Sequence, residues 1–111
     1  MNDKNKSKQE NKDAENSEWN SLNKFKNKNE WNSLKERLHI GDIVNGVVVH
    51  RERFGVFVDL GEEFIGLLEI PSMIYPEGAP RDTDVRPEIG VKLELKILHF
   101  HDRARQIILT M

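Results

Sequence analysis

Phe54 and Phe57 stand three residues apart around Gly55, in the run Arg53-Phe54-Gly55-Val56-Phe57-Val58-Asp59-Leu60. In an extended strand Val56, Val58 and Leu60 share one face, which leaves Phe57 and Asp59 on the opposite one. Bringing Phe54 to the same outer face takes one irregular step, and Gly55 is the residue that tolerates such a bulge. Two exposed rings form a platform for planar ligands, since a base stacked on an aromatic side chain gains about 1–3 kcal/mol with little dependence on its identity. The competing reading, in which either ring packs beneath a loop or a helix, fits the pattern equally well.

Other chemistry-bearing residues give weaker signals. His99 and His101 sit two apart and project from one side of a strand, a spacing that suits a metal. Two ligands do not make a site, the chain has no cysteine, and His50 would have to join them through the fold. Ordinary histidines at a strand end are the favoured reading, and neither a metal nor a cofactor is expected. Glu62 and Glu63, and Asp82 and Asp84, read as solvated turn carboxylates. With no glycine-rich phosphate loop and no G-x-S-x-G nucleophile motif in the sequence, no enzymatic activity is expected.

The elements that must position these residues occupy 111 residues, enough for one small domain, and 37% hydrophobic with 32% charged content is ordinary for a soluble chain. No apolar run reaches the roughly 18 residues of a membrane span, and the Asn- and Lys-rich amino terminus lacks the apolar core of a secretory signal. A cytoplasmic protein without membrane association is expected. The net charge is −2, divided as +2 over residues 1–38 and −4 over 39–111. The acidic balance of the second part runs against a simple nucleic-acid binder.

Residues 1–29 read as a disordered polar tail. Within it Glu18-Trp19-Asn20-Ser21-Leu22 recurs as Glu30-Trp31-Asn32-Ser33-Leu34. A twelve-residue offset turns the second copy about 120° away on a continuous helix, so the copies are expected to do different jobs. Trp31, Leu34 and Leu38, with Asn29 as the N-cap, predict a short amphipathic helix over 30–38. The copies either pack onto the domain or serve as short anchors in a partner's groove.

From residue 39 to 111 the pattern is that of short strands: 43–51, 55–60, 64–70, 91–100 and 106–110. In the fourth, Val91, Leu93, Leu95 and Ile97 alternate with Lys92, Glu94 and Lys96, so one face is buried and the other meets water. Turns of a few residues separate the strands, except for a long loop between Ile70 and Gly90 that carries four prolines and room for one helical turn around Ser72 to Tyr75. The spacing predicts an all-β fold: a small closed barrel of five short strands, of the oligonucleotide/oligosaccharide-binding type.

Gly41-Asp42-Ile43-Val44-Asn45-Gly46-Val47-Val48, Phe54-Gly55-Val56-Phe57-Val58-Asp59-Leu60, Gly66-Leu67-Leu68-Glu69-Ile70 and Ile107-Ile108-Leu109-Thr110 together resemble the S1 domain, the RNA-binding module named after a ribosomal small-subunit protein. The resemblance runs in order over residues 40–111. It implies a five-stranded antiparallel Greek-key barrel whose outer face binds single-stranded RNA, with Phe54 and Phe57 stacking on bases. The chain departs from the family in carrying Glu69 where a histidine is common, and a carboxylate repels phosphate. The family's Asp and Arg near the last hairpin match Asp102 and Gln106 when counted from the final strand, or His101 and Arg105 when counted from the fourth. Arg51 stands at a first-strand position that is usually apolar in the family. With His50, Arg103 and Arg105 it is expected to form a basic rim. The RNA-binding set expected from these considerations is Phe54, Phe57, His50, Arg51, His101 and Arg105. The alternative is a protein-interaction module of an RNA-handling or ribosome-associated assembly, with ribosomal or RNA-processing partners engaged through the tail.

Overall fold

The structure, a computed structural model, describes residues 18, 19, 22, 23 and 26–111. The expected disorder of the tail therefore falls largely outside the described residues. The first regular element is helix α1, Lys28–Arg37. Its N-cap is Asn27, whose side-chain oxygen accepts from the backbone N–H of Asn29 at 2.7 Å, so the cap falls two residues before the expected Asn29. Lys35 and Arg37 in the last turn complement the helix dipole.

Five strands follow: β1 (Ile43–Glu52), β2 (Gly55–Asp59), β3 (Gly66–Glu69), β4 (Lys92–His101) and β5 (Gln106–Thr110). They close into a barrel in the order β1-β2-β3-β5-β4. The five-stranded barrel matches the expectation, with one refinement of strand direction: β3 and β5 pair in parallel, through Gly66–Ile107, Leu67–Ile108 and Leu68–Leu109, while the other pairs are antiparallel. The long connection after β3 and the return through β4 bring β5 back beside β3 in the same direction.

Val48, Val56, Val58, Leu68, Leu95, Ile97, Ile107 and Leu109 point inward and fill the barrel. The alternation read in β4 holds from Lys92 to Ile97, and a bulge between Ile97 and His99 then shifts the register. A second bulge lies between Val48 and His50 in β1. This corrects the expected position of the irregular step: Gly55 is a regular strand residue, and Phe54 reaches the outer face from the two-residue turn between Glu52 and Gly55. Glycine is required at 55 for another reason, since a Cβ there would lie 2.3 Å from the carbonyl oxygen of Leu68 on β3.

The long loop opens with a 3-10 turn at Ile70–Ser72, slightly earlier than expected. It is fixed to β1 by charge. Asp84 accepts from Arg51 at 2.8 Å and from both Nε and Nη2 of Arg86 at 2.9 Å, and Arg86 also donates to the carbonyl of Glu52 at 2.7 Å. Hydrogen bonds from Arg86 hold the Asp84 carboxyl well below the usual carboxylate range.

Helix α1 lays Trp31 and Leu34 against the barrel, at 2% and 1% exposure. The Trp31 ring meets Phe64 and Phe100 edge-on at centroid distances of 5.1 and 5.8 Å. Its indole N–H donates to Asp102 Oδ1 at 2.9 Å, and Lys35 Nζ reaches the same oxygen at 2.7 Å. The hydrogen bonds from Lys35 and Trp31 depress the Asp102 pKa.

Trp31→Ala removes a buried ring and leaves its cavity behind, so a loss of about 3–5 kcal/mol is expected in urea denaturation. A carboxyl with a depressed pKa contributes stability that is present above its unfolded value, about 3.9, and is lost as pH falls through its folded value. In a Trp19→Phe background, acid titration below about pH 4 is therefore expected to shift Trp31 fluorescence as the Asp102 contact breaks. Asp102→Asn is expected to abolish that component, leaving only the part of acid unfolding that Asp84 and other carboxyls carry.

Candidate nucleic-acid interface

The strand register lines up one row of side chains across the outside of the barrel. His50 pairs with Phe57, Phe57 with Leu67, Leu67 with Ile108, and Ile108 with His99. Because neighbours in a row share a face, this places a phenyl ring and two aliphatic side chains side by side between two imidazoles. Phe54 adds its ring from the β1–β2 turn, edge-on to Phe57 at 6.0 Å and 88°. Phe57, Leu67 and Ile108 form a second apolar cluster, distinct from the barrel interior, with Val49, Phe54, Ile65 and Trp19 packed against it.

Phe57 lies on the outer face as expected, yet its exposure is 0%. The cover comes from the segment before α1. The Trp19 indole stacks on the His50 ring at 4.5 Å and 7°, and tilts over Phe57 at 5.6 Å and 38°. The buried Asn23 side chain pairs with the backbone of Ile65, donating to its carbonyl at 3.3 Å and accepting from its N–H at 3.4 Å. Lys26 Nζ donates to the carbonyl of Glu63 at 2.5 Å, and the Arg105 guanidinium donates to the carbonyl of Lys26.

Of the residues expected to bind RNA, Phe54, Phe57 and His50 are brought together. His50 is also held by Glu52, Nε2 to Oε2 at 2.9 Å. Arg51, the next residue, is drawn to the long loop, where it pairs with Asp84 at 2.8 Å and Glu88 at 3.5 Å. Its neighbours there are carboxylates, and it stands outside the aromatic row. His101 ends β4 opposite Gln106, exposed, with Nδ1 accepting from the Ala104 N–H at 3.3 Å.

Arg105 closes the hairpin in the left-handed region, at φ 53°, and points its guanidinium at the segment that carries Trp19. Of the two ways of matching the last hairpin, one falls on Asp102, which is bonded to α1, and on Gln106, which is 4% exposed; the other falls on the exposed His101 and on Arg105, which is bonded to Lys26. Glu69 is exposed at the end of β3, paired with Gly55 next to the Phe54 turn, and lends that edge a negative charge.

Sequence reasoning missed Trp19 and Asn23 as parts of this face. The signal available was the repeat, which marked Trp19 as an anchor without indicating its target. A separate open groove of about 570 Å³, with Asn45, Asp59, Lys92 and Glu94 among its lining, shares no residue with the aromatic row. Among the described residues no three His, Cys, Asp or Glu side chains converge on a common point, and no helix is long and apolar enough to cross a membrane. The row is apolar between its two histidines and is covered by Trp19, and an apolar face of this kind is suited to stacking against planar groups.

Comparison with solved structures gives the same architecture. GSP13 from Bacillus subtilis is 25% identical, with a TM-score of 0.54 over 66% of this chain and 55% of that one. RNase R from Mycoplasma genitalium, solved in complex with ribose-methylated single-stranded RNA, is 24% identical, with a TM-score of 0.55 over 75% of this chain and 15% of that one. An uncharacterized protein from Methanocaldococcus jannaschii is 23% identical, with a TM-score of 0.52 over 66% of this chain and 90% of that one. This chain thus corresponds to a small part of the RNase R and about half of GSP13. No curated protein sequence is significantly similar to it. The S1 RNA binding domain family matches residues 37–111, from the last residue of α1 through the whole barrel, and the chain belongs to that family.

Proposed function

We propose that this protein binds single-stranded RNA through the outer row of the barrel, without catalysis. The observation that carries the reading is the joining of His50, Phe57 and Phe54 on one outward face of an S1 barrel. Phe54 and Phe57 stack on bases, and His50, His101 and Arg105 meet phosphates along the border. Arg51, bound to Asp84 and Glu88, serves this face by fixing the loop beside β1. The single-stranded RNA bound by the Mycoplasma RNase R supports the same ligand class here.

Stacking is tolerant of base identity, so little sequence preference is expected. The few cations offered by an acidic domain give weak binding that falls as salt rises. Phe57 is buried, and its truncation to alanine risks unfolding at about 3–5 kcal/mol, so the informative variant is at the half-buried Phe54.

In fluorescence-anisotropy titrations with a labelled single-stranded RNA, Phe54→Ala is expected to weaken binding about 5- to 100-fold, the equivalent of one lost stack. The same titration at 50 and 200 mM salt, chosen to bracket physiological strength, is expected to show the parent losing affinity. RNA binding that Phe54→Ala leaves intact, in a variant whose thermal melt matches the parent, would overturn the reading. Loss of all binding on removing residues 1–26, which leaves α1 and its core residues in place, would assign the contact to the tail instead.

A further inference from the structure

The same pentapeptide meets two fates in this chain. In its second copy Trp31 and Leu34 are core residues, and the Trp31 indole N–H is satisfied by Asp102. In its first copy Trp19 is only half-buried on the outside of the barrel and Leu22 is 46% exposed. Neither Trp19 nor Leu22 is part of the barrel interior. Its contacts fall on the row that the proposed function assigns to bases.

Those contacts have the geometry of a bound base. The indole lies flat on His50, 4.5 Å away and 7° from parallel, as a stacked nucleobase would. Beneath it Phe57 is at 0% exposure, so no second planar group reaches that ring while Trp19 is in place. The segment is held by groups that are polar and replaceable. Asn23 imitates a strand partner at the backbone of Ile65, Lys26 reaches the Glu63 carbonyl, and Arg105 donates to the Lys26 carbonyl. The Arg105 contact matters doubly, because the guanidinium proposed to meet phosphate is aimed at the covering segment.

We infer that Trp19, Asn23 and Lys26 together form a built-in competitor for RNA: Trp19 occupies the base-stacking position on His50 and Phe57, and these residues must leave before RNA engages the full row. The inference rests on the proposed RNA-binding function of that row. Because the competitor is tethered, it acts at a high effective concentration that does not change with protein concentration. The apparent affinity for RNA falls by the fraction of molecules in which the row is uncovered. A covered row also spares the cell a permanently exposed apolar patch when RNA is absent.

The test titrates a labelled single-stranded RNA into the full-length parent, Trp19→Ala and Asn23→Ala at low salt, with circular dichroism to verify folding. Losing one stacked ring from the cover is expected to tighten binding by about 5- to 100-fold in Trp19→Ala. A smaller gain is expected in Asn23→Ala. In 15N-labelled parent, added RNA is expected to move the Trp19 indole N–H signal and the Ile65 amide signal together, toward their positions in a released segment.

If the parent binds RNA and Trp19→Ala binds equally or more weakly, the inference fails while the RNA-binding reading stands, with Trp19 then a bystander or a part of the platform. If neither protein binds at low salt, both fail. Binding by Trp19→Ala where the parent shows none would support both.

Discussion

The parallel pairing of β3 with β5 is the contact on which the rest of the architecture depends. Both strands are short, four and five residues, and their register is set where Gly66 faces Ile107 and Leu68 faces Leu109. A Cβ at Gly66 would lie 2.7 Å from Leu109 Cδ1, so the absence of a side chain there lets the Leu109 side chain come close. Closure removes the open sheet edges that would otherwise invite pairing with other chains. It also decides what lies outside. With Leu68 and Leu109 turned inward, Leu67 and Ile108 must face outward side by side, and they extend the apolar row that begins at His50 and Phe57.

That outer row is costly to leave bare. Phe57, Leu67 and Ile108 are apolar, and burying such side chains is worth about 1.5–3 kcal/mol each. The protein resolves this by laying the first Trp copy over the row and the second into the end of the barrel. The two copies differ in their polar partners. Trp31 has a carboxylate for its N–H, shared with Lys35, and is sealed by Phe64 and Phe100. Trp19 relies on ring stacking and on the backbone pairing of Asn23 nearby.

Electrostatics separate the border of the row from the rest of the surface. Two arginines, Arg51 and Arg86, are used to fix the long loop against β1 through Asp84, so their charge is balanced by carboxylates close at hand. Around the aromatic side chains His50 is paired with Glu52, the Arg105 guanidinium donates to the Lys26 carbonyl, and Glu69 is exposed at one edge. The acidic total of residues 39–111 therefore hides a local arrangement in which the basic residues do different work according to their neighbours.

Much of this was legible in the chain itself. Alternation of apolar and charged residues from Lys92 to Ile97, the Phe-Gly-x-Phe run and the long proline-bearing loop were enough for a five-stranded barrel, because strand periodicity is local and each face is written every second residue. The i, i+3, i+7 spacing of Trp31, Leu34 and Leu38 likewise marked the helix. The outward direction of Phe57 could be read in the same way. Its burial could not, since the covering indole lies far away along the chain, and nothing local to Trp19 states which ring it meets. The roles of Arg51 and Asp102 were equally hidden: each was assigned by a partner more than thirty residues distant, Asp84 for one and Trp31 for the other. The direction in which β5 meets β3 was also decided by closure of the barrel, where residues distant in sequence are forced into register together.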